Sequence, residues 1–230
     1  MSKITRWRQV AGLIDYALLS ANTTSQMVER ACKESVSLGF HAICVNPVHV
    51  DTVSAALKGS PVKVCTVIGF PLGATLTPIK IREGLLSMER GAHELDIVSN
   101  IGLLLEGRID RFRGEVEDIV KSVREADPRV VTKIIVEMGY LTDEEKEAAA
   151  HVVADAKADF MKTSTGHGPT GATVEDVQLL RRVLPSSVGI KASGGIRSLE
   201  SLLALVEAGA SRIGTSTAVG IVEEAKERFG

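Results

Sequence analysis

The stretch Ala158–Val177, ADFMKTSTGHGPTGATVEDV, decides between two α/β architectures. A short apolar run ends on Lys162. Gly166, Gly168 and Gly171 follow with G-x-G-x-x-G spacing, and Thr173 with Asp176 three residues later opens a helix. Strand, glycine loop and helix is the order of a dinucleotide site in an open, doubly wound sheet. Such a site expects an acidic residue about 20 residues on, at the end of the next strand, to hold the ribose. Here the next strand ends on Lys191 and small residues, Pro169 interrupts the loop, and the unit is the sixth of its kind rather than the first. The glycines therefore belong to another kind of site.

Working outward, short β-branched apolar runs recur along the whole chain: LIDYALL, HAICVNP, VKVCTVIGF, ELDIVSN, VTKIIVEM, ADFMKTST, VGIKASG and SRIGTST. Eight runs in 230 residues give about 29 residues per unit, enough for a strand, a helix and two short loops. The intervening helices carry their own signals. Thr142 with Glu145 is a capping box for a helix reaching to about Lys157, and Ser198 opens SLESLLALVEAG, with Gly209 placed to end it. Strands that are apolar on both faces and separated by amphipathic helices imply a parallel sheet covered by helices. Eight such units predict an α/β fold of the (β/α)8 TIM-barrel type, with an additional N-terminal helix ending near Leu13. No linker or change of composition divides the chain, so residues 1–230 are expected to form one domain.

Composition narrows the function. The 27 basic and 29 acidic residues leave a net charge of −2, which argues against nucleic acid or an anionic membrane surface as partner. Charged residues punctuate the amino terminus and no segment is long and apolar enough to span a membrane, so a cytoplasmic protein is expected. Cys32, Cys44 and Cys65 are odd in number and lack C-x-x-C spacing, against a disulfide framework. The five histidines have no metal-ligand spacing, no G-x-S-x-G elbow is present, and Cys44 reads as a small strand residue; neither a metal nor any other cofactor is expected.

In a (β/α)8 barrel the chemistry belongs at the carboxyl ends of the strands. Those positions hold Asp15, Cys44 with Asn46, Asp96, Glu137, Lys162, Lys191 and Gly214-Thr215-Ser216. Lys162 and Lys191 lie 29 positions apart, one repeat, and so fall on neighbouring strands. Two crowded ammonium groups repel, which should lower at least one pKa and free an amine to attack a carbonyl. A structural ion pair of one lysine with Asp96 or Glu137 is the competing reading. Gly194-Gly195 and Gly214-Thr215-Ser216 follow the seventh and eighth strands, where such barrels bind phosphate.

These segments together closely resemble the deoxyribose-phosphate aldolases. The resemblance runs over nearly the whole chain and is carried by IDYALLSANTT, AICVNP, VCTVIGFPLGAT, HELDIVSNIG, KIIVEMGYLTDEE, ADFMKTSTGHGPTGATVEDV, IKASGGIRS and ASRIGTST. It implies a Schiff-base lyase on a (β/α)8 barrel, in which Lys162 forms the imine and Lys191 lowers its pKa and joins a proton relay. Asp96 works with them through a water. Gly166, Gly194, Gly195, Gly214 and Ser216, with Asp15, would line the place of a phosphorylated sugar. Association into a dimer or tetramer is expected on the same ground. The chain departs from the usual pattern at Tyr16-Ala17, Met138 and His167, which bears on substrate range. Another Schiff-base or phosphate-binding barrel, or a non-catalytic sugar-phosphate binder, are the alternatives.

Overall fold

The computed structural model describes residues 4–230. A short helix α1 (Trp7–Ala11) precedes the first strand, as the sequence predicts. The eight strands are β1 (Ile14–Leu18), β2 (Ala42–Val45), β3 (Lys63–Ile68), β4 (Glu94–Val98), β5 (Val131–Ile135), β6 (Phe160–Lys162), β7 (Gly189–Ser193) and β8 (Arg212–Thr215). They are parallel and pair in chain order, and β8 returns to β1 to close the barrel. The helices α2 (Ser25–Leu38), α3 (Val50–Ala56), α4 (Thr77–Glu89), α5 (Ile101–Leu105) and α6 (Ile109–Ala126) cover the first half. The second half is covered by α7 (Asp143–Asp155), α8 (Val174–Val183), α9 (Leu199–Ala208) and α10 (Ala218–Phe229).

The expected helix starts are present. Thr142 Oγ1 accepts from the Glu145 N–H while the Glu145 carboxylate accepts from the Thr142 N–H at 2.8 Å. Thr173 Oγ1 accepts from the Asp176 N–H to cap α8, and Ser198 caps α9 in a reciprocal pair with Ser201. Each satisfies N–H groups that the first turn of a helix leaves without partners.

Side chains alternate across each strand, and the two faces have opposite character. Residues such as Ile43, Val64, Leu95, Ile97, Ile134, Met161, Ile190 and Ile213 face the helices and form one continuous apolar core. Burying each is worth roughly 1.5–3 kcal/mol, so this layer supplies the driving force for folding. The apolar set inside the barrel is small: Ala42, Cys44, Cys65 and Val67. The interior of such barrels is usually filled with branched aliphatic side chains. Here charged groups from β1, β4, β5, β6, β7 and β8 occupy it.

Candidate active site

Register brings these charges together. Lys162 pairs directly with Lys191 across β6 and β7, as the one-repeat spacing predicts, and Asp96 pairs with Lys133 across β4 and β5. Lys162 Nζ donates to Asp96 Oδ2 at 2.7 Å, and Lys191 Nζ donates to the same oxygen at 2.6 Å and to Asp15 Oδ2 at 2.5 Å. The other oxygen of Asp96 accepts from Lys133 Nζ at 2.8 Å. Lys133 also lies 2.7 Å from Glu94, and Arg212 bridges Glu94 at 2.9 Å and Asp15 at 3.1 Å. The result is a ring of alternating charge that runs from Asp96 through Lys133, Glu94, Arg212, Asp15 and Lys191 back to Asp96. All of its members are buried.

This ring refines the two-lysine picture. Burial opposes the Lys191 charge, yet Asp15 and Asp96 outweigh it and hold its pKa above the ordinary lysine value. The expected fall through mutual repulsion does not occur at Lys191, because carboxylates stand between the ammonium groups. Burial likewise works against the Asp96 charge, and Lys133, Lys162 and Lys191 outweigh it and hold its pKa well below the usual range. Asp96 touches both lysines directly and lies beneath the cavity that they line. Counting charges, Lys133, Lys162, Lys191 and Arg212 face Asp15, Glu94 and Asp96, four cations against three carboxylates. Lys133 and Lys191 each meet two or more of those carboxylates, and Lys162 meets only Asp96.

A cavity of about 230 Å³ opens over this floor at the carboxyl ends of the strands. Asp15, Cys44, Lys162 and Lys191 form its base, and Gly166, Gly194, Gly195, Gly214 and Ser216 line its wall, so the expected site residues converge. Gly166, Gly194 and Gly195 have φ of 88°, 89° and 75°, a region side-chain-bearing residues rarely adopt. A Cβ on Gly171 would lie 2.2 Å from the Gly194 carbonyl oxygen, which fixes the β6 and β7 loops against each other. Among the described residues, the N–H groups of Gly195, Ile196 and Ser216 donate to no protein acceptor, and α10 begins two residues after Ser216. Unpaired N–H groups beside a helix N-terminus suit an anion.

Other residues stand where strand-end counting did not place them. Glu94, Lys133 and Arg212 lie one layer below the strand ends, and only the two-residue alternation from Asp96 to Glu94 hints at that layer. Arg197, in the glycine loop after β7, also lines the cavity. Glu137 is no lysine partner: it adopts a left-handed backbone (φ 47°) and its carboxylate accepts from the Thr165 N–H and hydroxyl. It holds the loop after Lys162 in place. His167 lines the cavity and meets the Phe70 ring edge to face, 5.2 Å between centroids.

A closed barrel with an amine-bearing floor and an anion-accepting rim is the architecture of a carbon–carbon lyase. The chain belongs to the DeoC/LacD family of aldolases, whose model matches residues 10–222. It is 47% identical over 219 residues to the deoxyribose-phosphate aldolase of Caldanaerobacter subterraneus subsp. tengcongensis, covering 95% of this chain and 94% of that protein. Against the deoxyribose-phosphate aldolase of Thermococcus gammatolerans it is 48% identical, covering 94% and 96%. The solved deoxyribose phosphate aldolase of Aeropyrum pernix, described as a unique tetramer, superposes with a TM-score of 0.91 at 34% identity, covering 98% of this chain and 94% of that one. The protein is an aldolase of the lyase class. Among the described residues, no helix is long and apolar enough to cross a membrane.

Proposed function

We propose that this aldolase reversibly cleaves 2-deoxy-D-ribose 5-phosphate into acetaldehyde and D-glyceraldehyde 3-phosphate through an imine on Lys162. The observation that carries the reading is the arrangement of the floor. Lys162 opens into the cavity and meets a single carboxylate, in a cluster with one more cation than anions. Charge balance is reached when one amine is neutral, and the neutral amine is the nucleophile that imine formation needs.

Lys162 Nζ adds to the aldehyde carbon C1 of the open-chain sugar, and loss of water leaves an iminium. Lys191, the other lysine facing the cavity, stabilises the oxygen at C3 as its proton leaves, and carries that proton to and from Asp15 and Asp96 behind it. The C2–C3 bond then breaks, its electron pair forms the C1=C2 bond as the iminium π pair moves to nitrogen, and glyceraldehyde 3-phosphate departs. The enamine left on Lys162 takes a proton at C2, and water releases acetaldehyde and regenerates the amine. Gly166, Gly194, Gly195, Gly214 and Ser216 hold the phosphate through backbone groups, and Arg197 adds a cation at the rim. The reading includes a role in deoxyribose breakdown in the cytoplasm by a homo-oligomer of this one-domain chain, the oligomer being supported by the tetrameric structure described for the Aeropyrum pernix relative.

The test is borohydride reduction in the presence of acetaldehyde, followed by peptide mass mapping. The expected product is a two-carbon adduct on Lys162, lost in Lys162→Met, with deoxyribose 5-phosphate turnover that EDTA does not diminish. Folded protein that turns over the sugar but carries no adduct on Lys162 would reject the assignment.

A further inference from the structure

Beneath the cavity, Cys44 and Cys65 face each other across β2 and β3, directly paired in register and both buried. Cys65 Sγ lies 3.2 Å from Asp96 Oδ1, and Cys44 Sγ lies 3.9 Å from Asp96 Oδ2. The lysine chemistry above uses neither thiol. From this geometry we propose that Cys44, Cys65 and Asp96 form a site for a thiophilic divalent cation, of the zinc or cadmium type, which binds in place of the two thiol protons.

One ligand atom from each residue falls within 4.8 Å of the other two. Zinc bonds thiolate at about 2.3 Å and carboxylate at about 2.0–2.2 Å, so neighbouring tetrahedral ligands sit roughly 3.3–3.8 Å apart. The three groups need to draw together by about 1.5 Å or less. Three lysines surround the site, and at first sight they forbid a dication. The exchange is nevertheless neutral: one divalent ion enters and two thiol protons leave. Lys133, 3.3 Å from Cys65 Sγ, keeps its bond to Glu94 when the ion takes Asp96.

Access selects this cluster over its neighbour. Asp15, Cys65 and Glu94 are equally close together, but Arg212 already spans Asp15 and Glu94. Cys44 lines the open cavity and gives an ion a way in. Occupation draws Asp96 away from Lys162 and Lys191. On the reading of function given above, the metal therefore inhibits, and a chelator restores activity.

Binding is tested independently of catalysis. Metal-free protein is titrated with cadmium chloride while the sulfur-to-cadmium charge-transfer absorption is followed. The expected result is one ion per chain with the intensity of two thiolates. Cys44→Ser and Cys65→Ser should each halve the band and weaken binding at least about tenfold, a loss typical of disturbed metal sites, and Cys32→Ser, on α2, should leave the band unchanged. Cadmium NMR of the unsubstituted protein should show mixed sulfur and oxygen coordination, which keeps the test decisive if a serine variant does not fold. No thiolate band, a band that Cys65→Ser leaves undiminished, or an oxygen-only cadmium signal would each overturn the proposal.

Discussion

Lys133→Met tests whether the ring of charge beneath the cavity holds the site in shape. Methionine keeps an unbranched stem and removes the cation, leaving Glu94 and the Oδ1 side of Asp96 without their 2.7 and 2.8 Å partner. Lys133 is 0% exposed, so no solvent replaces it. Removing one member of a buried ion pair costs about 3–5 kcal/mol, because the abandoned charge is stranded away from water. At roughly 2.1 cal/mol/K per residue, a chain of 230 residues loses about 0.5 kcal/mol of stability per degree near its midpoint. The expected fall in Tm is therefore about 6–10 °C, read by circular dichroism and paired with urea titration. A second change, Glu94→Gln, should recover part of the loss by removing a carboxylate left with Arg212 and His41 as its partners, with a coupling of roughly 0.5–3 kcal/mol. Loss of kcat should accompany the loss of stability, since Asp96 is free to turn away from Lys162 and Lys191. A Tm within about 2 °C of the unsubstituted protein, with kcat intact, would refute the view that this cation positions the floor.

Two further outcomes follow from the same structure. Gly171→Ala forces a methyl group to 2.2 Å from the Gly194 carbonyl oxygen and pushes the β6 and β7 loops apart; overpacking of about 1–3 kcal/mol corresponds to a KM for the sugar phosphate raised about 5- to 150-fold, and steady-state kinetics that put the loss in kcat alone would contradict the phosphate role. The charged ring also sets a pH profile for stability: Asp15, Glu94 and Asp96 have folded pKa values below their ordinary values, so their contribution is present above those values and is lost as acid protonates them. Lys133 and Lys191 are raised, so theirs is present below the ordinary lysine value and is lost as alkali titrates them. Burial lowers the His93 pKa and raises those of Cys32 and Cys65, which narrows the window; urea midpoints should accordingly stay level between about pH 7 and pH 9 and fall on either side, and a midpoint that rises into acid would refute this.

The barrel was legible in the sequence because its signals are local. Each strand run, each capping threonine and the one-repeat spacing of Lys162 and Lys191 can be read within a few residues or by simple counting. The rim glycines were legible for the same reason. The layer below was not. Glu94, Lys133 and Arg212 interact because the barrel closes and its strands are staggered, and neither property is visible in any single segment. The pKa of Lys191 shows the same limit: two cations seen in isolation imply a fall, and the surrounding carboxylates reverse it. Glu137 looked like a strand-end acid poised for chemistry, but a left-handed backbone turns it aside to hold the loop after β6.

Closure joins the two ends of the chain. Asp15, on the first strand, is neutralised in part by Arg212, on the last, 197 residues away. During synthesis, a nascent polypeptide that has emerged only as far as β7 has an open side and a carboxylate still awaiting its guanidinium. The final assembly step therefore comes after nearly all of the barrel has left the ribosome, and partial products lacking the β8 segment should be targets for chaperones and proteases.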